Sequence, residues 1–278
     1  MGKTNSKARA AVCAVFSFVL FLCITCGLIS ACSTFTLLSE SHFTKSIEES
    51  MYAEKNYDSL KEVLRNEAAG YGLPEDLLEK QLNSKAFSSE IEDNIAAGLK
   101  GEDTENSVSD AGQEFSASVK SAVESYLSEN KVGDNDRIKL AVKEIVRDSE
   151  SYYREYIRLP FAEYFSEYRS SASGLTKVMI PVCAAAVVVL LILLINLQKD
   201  PAGRRTYICS SLMASGIAVC AAGFLLGSVV DFRFSKSLAG YASFIDIFFS
   251  GSAPVFWAAG IAVIILAVVI MVTGRGKK

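Results

Sequence analysis

Four uncharged stretches punctuate the chain, at residues 10–39, 178–198, 206–230 and 247–274. Each reaches or exceeds the roughly 20 apolar residues that an α-helix needs to cross a bilayer. The pattern predicts transmembrane helices over 10–39, 178–198, 206–230 and 253–274. They are joined by a tail (1–9), a densely charged block (40–177), a short loop (199–205), a second loop (231–252) and a final tail (275–278).

Within 40–177 the apolar positions recur every three or four residues, the period of a helix with one buried face. Phe43, Ile47 and Met51, then Tyr57, Leu60 and Leu64, predict that the first span runs on as one amphipathic rod. Gly70-Tyr71-Gly72-Leu73-Pro74 ends that helix, since glycine supplies a cap conformation and proline opens the next helix. Glu75 and Asp76 then occupy a first turn, with Leu77, Leu78 and Leu82 facing inward.

Ser84 or Ser88 is expected to cap a third helix carrying Phe87, Ile91, Ile95 and Leu99, closed by Gly101. Residues 101–112, polar and acidic, read as a solvated loop. Phe115, Val119, Val123 and Tyr126 mark a fourth helix. Val132-Gly133 turns the chain, and Asp134 or Asp136 caps a fifth helix through Ile138, Val142, Ile145, Tyr152 and Tyr156. Pro160 should kink or break it, before a last segment leads through Gly174 into the second span. Stripes of this length are buried most economically on one another. The expected fold is therefore an all-α integral membrane protein: four transmembrane helices with a helical-bundle extracytoplasmic domain inserted between helices 1 and 2.

Charge sets the orientation. Block 40–177 holds 28 acidic and 17 basic residues, a net −11 inside a chain whose total is −3. That balance argues against nucleic acid, whose phosphates call for Lys/Arg clusters. It argues equally against the domain lying flat on anionic lipid. Lys3, Lys7 and Arg9 precede the first span, Lys199, Arg204 and Arg205 fill the loop 199–205, and Arg275, Lys277 and Lys278 end the chain. Basic residues gather on the cytoplasmic side, so both termini are expected in the cytoplasm and residues 40–177 outside the cell membrane.

All seven cysteines fall in the uncharged stretches, leaving the charged block without a disulfide framework. It also carries no Asn-x-Ser/Thr acceptor, and the two features together point to a bacterial envelope protein. Ile29-Ser30-Ala31-Cys32 has the shape of a lipidation site, which makes Cys32 a candidate for processing. The apolar run continues through Phe35, Leu37 and Leu38, which favours an uncleaved helix. Met1-Gly2-Lys3-Thr4-Asn5-Ser6 fits a myristoylation pattern but leads straight into a span, where an acyl chain adds little. Cys23-x-x-Cys26 has redox spacing inside an apolar helix, with no basic neighbour to activate a thiol.

No constellation for catalysis stands out. The single histidine, His42, excludes any site that needs two imidazoles, and no Walker, dinucleotide or zinc-protease motif is present. Asp103, Glu105 and Asp110 lack the ligand spacing of an EF-hand, and Asp134-Asn135-Asp136 reads as a helix cap. No enzyme activity, cofactor or metal is expected. The spans contain no Asp, Glu, Lys, Arg or His, which counts against a pump or a secondary transporter acting alone.

Two patterns remain as candidate interaction sites. Ser211, Ser215, Gly223 and Gly227 recur at multiples of four along the third span, where small residues let helix backbones approach. They suit packing within the four spans, or a homodimer through the third. Aromatic residues cluster before the second and fourth spans: Tyr152, Tyr156, Phe161, Tyr164 and Phe165, then Phe244, Phe248 and Trp257. Such residues favour the membrane interface, as an anchoring belt or as a groove for an apolar or peptide ligand.

Ser39-x-x-His42-Phe43, Tyr57-x-x-Leu60 and Gly72-Leu73-Pro74-Glu75-Asp76-Leu77-Leu78, set in this topology, resemble uncharacterised four-span membrane proteins of Gram-positive bacteria. The resemblance implies the same topology and carries no activity. The expected function is that of a non-enzymatic envelope protein whose outer helical domain binds, senses or scaffolds a ligand or partner. Its output would pass through another membrane protein, because the cytoplasmic segments are short. The alternative is a permease-like subunit of an ABC-type exporter, which shares a large outer domain between the first two spans.

Overall fold

The structure, a computed structural model, describes residues 2–102, 110–133, 135–228 and 239–273. Its described elements are α1 (Gly2–Phe35), α2 (Glu40–Glu49), α3 (Tyr52–Gly70), α4 (Asp76–Glu79), α5 (Ser84–Lys100), α6 (Asp110–Glu129), α7 (Asp136–Ile157), α8 (Pro160–Leu197), α9 (Pro201–Ser228) and α10 (Ala239–Thr273). No strand occurs among the described residues. Four of these helices are long and apolar enough to cross a membrane, over Ala8–Phe35, Tyr164–Leu197, Pro201–Ser228 and Gly240–Thr273. That is the make-up of a multi-pass membrane protein.

The expected rod from the first span to Leu64 is interrupted twice. After Phe35 the Thr36 hydroxyl bonds the Cys32 carbonyl at 2.9 Å and the Leu38 amide reaches back to Ser33 at 2.8 Å. At the second break the Ser50 hydroxyl takes the Ile47 carbonyl at 2.7 Å, and Met51 turns left-handed with φ 51°. Hydroxyls bonding nearby carbonyls offer the backbone an alternative to the helix ladder. Met51 consequently leaves the stripe and is exposed, while Tyr52, Leu60, Leu64 and Ala68 are buried.

The caps differ from expectation by one position. Asn83, not Ser84 or Ser88, caps α5 by accepting from the Lys85 and Ala86 amides at 3.0 and 3.3 Å. Asn135, not Asp136, caps α7 through the Ile138 amide at 3.0 Å, and Asp134 lies outside the described residues. Both asparagines have extended backbone, which places the side-chain oxygen over the first free amides. Gly72 (φ 73°) and Gly101 (φ 78°) end α3 and α5 in the left-handed conformation that glycine adopts without strain. The end of α6 uses Lys131 in that role, at φ 53°. The acidic positions Asp103 and Glu105 also lie outside the described residues.

The helices fall into two units. A span unit comprises Met1–Ser46, Arg169–Phe232 and Asp246–Lys278; a helical unit comprises Ile47–Tyr168 together with Arg233–Ile245. In the helical unit α3, α5, α6 and α7 pack around an aromatic centre. Tyr153 stacks on Phe115 at 4.9 Å and meets Phe87 edge-on at 5.5 Å, and Phe87 in turn lies 5.7 Å from Tyr57. Ile91, Ile95, Val119, Val123 and Ile145 complete the core, as their spacing predicts.

The chain leaves α7 at Arg158 and restarts at Pro160, so the break expected at that proline is present. Tyr52 donates to the Arg158 carbonyl at 2.8 Å and Asn56 to the Tyr156 carbonyl at 2.9 Å, which fastens α3 to the end of α7. The start of α10 joins the same face. Lys55 donates to Ser243 at 2.6 Å, and Gly240 comes so near α3 that a methyl there would stand 3.0 Å from the Tyr52 carbonyl. Pro181 and Gly174 both lie inside α8.

Candidate functional site

In the span unit, α9 is the central contact-maker. Ser211 donates to the Ser17 carbonyl at 2.7 Å, the Ser17 and Ser211 hydroxyls meet at 2.8 Å, and Ser215 donates to the Phe21 carbonyl at 3.1 Å. These bonds join α9 to α1. The other end of the predicted small-residue face meets α10: a methyl at Gly223 would stand 2.7 Å from Trp257 Cδ1, and one at Gly227 3.8 Å from Ala253. The closest approach is at Gly216, which the sequence pattern did not single out. A methyl there would stand 2.7 Å from the Gly260 carbonyl, and one on Gly260 would stand 2.6 Å from the Gly216 carbonyl. Cys32 is buried against Val219 and Phe256, inside the contact of α1 with α9 and α10.

His42 has a defined setting. Its Nε2 lies 3.0 Å from the Phe248 carbonyl and 3.1 Å from the Ser252 hydroxyl, and its ring rests on Phe248 at 5.2 Å. Ser252 itself donates to the Phe248 carbonyl at 2.9 Å and is fully buried. The pairing therefore ties α2 to α10. A serine with no access to a substrate is not placed for nucleophilic work.

The aromatic candidates divide between the two units. Tyr156, Phe165 and Phe244 of the helical unit are buried, as is Phe248 of the span unit. Tyr164 and Trp257 are exposed, at 68% and 42%. Tyr152 is half-buried, its hydroxyl 3.4 Å from Glu67, and burial together with that carboxylate pushes its phenol up. The side chain of Phe161 lies outside the described residues.

A buried carboxyl–phenol pair lies in the helical unit. Tyr153 donates to Glu90 Oε2 at 2.7 Å inside the core. Desolvation, reinforced by Glu90, raises the Tyr153 phenol well above the ordinary tyrosine range. Desolvation does the same to Tyr52, only partly offset by Asn56.

A cleft of about 950 Å³ opens between the C-terminal half of α6 and the N-terminal half of α7. Its apolar wall is Leu127, Val132, Ile138, Val142 and Val146. Ile138 and Val142 were expected to be core positions of α7. The helix does present them on the apolar face, but among the described residues nothing covers that end of the stripe, and they are partly exposed. Around the wall stand Lys120, Lys131, Lys139 and Lys143, and among the described residues Glu124 is the one acidic lining group, 4.0 Å from Lys120. A concavity of this size with an apolar floor and a few polar groups has the character of a small-molecule site. The signal in the sequence was slight: residues 120–147 hold six basic and five acidic residues, a near balance set inside a block of net −11. Among the described residues, no group of three or more metal-ligating side chains is assembled. No protein family, curated protein or solved structure matches the chain.

Proposed function

We propose that this chain is a non-enzymatic binding or sensing protein of a bacterial cell envelope. Four spans anchor it in the cell membrane with both termini in the cytoplasm, and residues 40–177 stand outside as a helical ligand-binding domain. The observation that carries the reading is the α6–α7 cleft, a ligand-sized concavity on a unit with a core of its own. The basic residues of the loop 199–205 and of both tails support the orientation. In this reading a second membrane protein receives the output, since the loop 199–205 is too short to hold a signalling domain.

Sidedness tests the reading directly. In intact cells, a membrane-impermeant maleimide should label Ser107→Cys above the wild-type background and should label Ala202→Cys only after the membrane is opened. Labelling of Ala202→Cys in intact cells, with Ser107→Cys protected, would place the domain inside and overturn the proposal.

A further inference from the structure

The lining of the α6–α7 cleft also indicates what it holds. We infer that the cleft binds a single-chain lipid with an anionic head group, its chain on the apolar wall and its head among the lysines. The inference rests on the preceding reading only in taking the cleft as the ligand site.

Three observations converge. The wall is continuous from Leu127 on α6 to Ile138, Val142 and Val146 on α7, a strip that a flexible alkyl chain follows without needing matched donors. Among the described lining residues the charge is four lysines against one glutamate, opposite in sign to the unit around it. Lys131 and Lys143 make no ion pair among the described residues. Lysine is a compact charge on a flexible stem, suited to a carboxylate or phosphate head whose position shifts with chain length. The cleft also lies within the roughly 300–1,000 Å³ range of small-molecule sites. The bilayer that the four spans would cross is a ready source of such amphiphiles. Each further methylene laid on the wall should tighten binding roughly fourfold.

The test uses the full chain in nanodiscs of zwitterionic phosphatidylcholine, with a palmitate analogue bearing a diazirine on its chain. Light-induced adducts should map to α6 and α7 around Leu127 and Val142. Unlabelled palmitate and hexadecyl phosphate should compete, and hexadecanol should compete at least tenfold more weakly. Lys131→Glu/Lys143→Glu, both at exposed positions, should cut labelling at least tenfold with an unchanged helical spectrum. Val142→Asp should do the same by breaking the apolar wall.

Adducts confined to the spans would overturn the inference, as would equal competition by the alcohol or labelling indifferent to charge reversal. So would a p-benzoylphenylalanine at position 127 that captures an acidic helix of another protein in cells while the lipid probe fails. If labelling fails and Ser107 still faces outward, only the ligand class is lost. If labelling succeeds and Ser107 faces inward, the cleft stands and the envelope orientation falls.

Discussion

The backbone contact of α9 with α10 sets a sharp expectation for Gly216→Ala. The added methyl would meet Ile264 Cγ1 at 2.5 Å, the Gly260 carbonyl oxygen at 2.7 Å and the Ile264 amide nitrogen at 3.2 Å. The first of these can rotate away, but the other two are backbone. Ordinary contact begins at 3.4 Å, so the carbonyl must retreat by about 0.7 Å and α10 with it. Overpacking of this kind costs about 1–3 kcal/mol, while replacing a helical glycine by alanine returns about 0.5–1 kcal/mol. The net expectation is a loss of about 1–2 kcal/mol. Gly227→Ala provides the control: its methyl meets only Ala253, at 3.8 Å, so it should be neutral or slightly stabilising. Gly260→Ala should behave like Gly216→Ala, because its methyl would stand 2.6 Å from the Gly216 carbonyl. One separation of the helices relieves both clashes, so the double variant should cost less than the two singles together. Reversible unfolding of the purified full chain in micelles, followed by circular dichroism, measures all four. A Gly216→Ala midpoint at or above wild type, or strict additivity of the pair, would refute the close backbone contact.

Two further expectations concern the helical unit. The raised phenols of Tyr52 and Tyr153 stay neutral in the folded chain when unfolded tyrosines, with their ordinary value of 10.0, begin to ionise. Their contribution is complete below pH 10 and erodes as pH rises beyond it. Unfolding midpoints should therefore fall above pH 10, and Tyr153→Phe should flatten that fall, at a neutral-pH cost of about 1–3 kcal/mol for the lost donor to Glu90. Tyrosinate absorbance showing all 11 tyrosines of the native chain ionising together near pH 10 would contradict it. Asn83→Ala should cost about 1 kcal/mol by uncapping α5, while Ser84→Ala should leave the midpoint nearly unchanged; equal losses would move the cap back to Ser84.

What the sequence made legible follows from the kind of information each feature needs. The four apolar helices and the stripe of Phe87, Ile91 and Ile95 depend on a residue's own hydrophobicity and on one period, both local. Caps depend on which of two neighbouring side chains reaches the amides, so Asn83 and Asn135 were each missed by a single position. The breaks at Thr36 and Met51 were hidden because apolar spacing continues across them while hydroxyl–carbonyl bonds interrupt the ladder. Small residues along α9 announced close packing but not its register, and the tightest point fell at Gly216 beside the predicted Ser215. Ile138 and Val142 show the remaining limit. Periodicity says that a face is apolar, and only the tertiary structure says whether another described element lies over it.

The helical unit is not written as one continuous stretch of the gene. Ile47–Tyr168 leave the ribosome first, and Arg233–Ile245, which bring Gly240 and Ser243 to α3, come more than sixty residues later. At roughly 5–20 residues per second this is a delay of several seconds, during which two apolar helices must also be accommodated. Throughout that interval the Tyr52–Asn56 side of α3 is without its final neighbour. Nascent chains stalled before residue 239 should thus be cut by protease near Lys55, and chains stalled well beyond residue 245 should resist. A truncated domain ending at residue 174 would remain permanently in the earlier state, which makes the fourth apolar helix a participant in maturation of a region encoded far upstream.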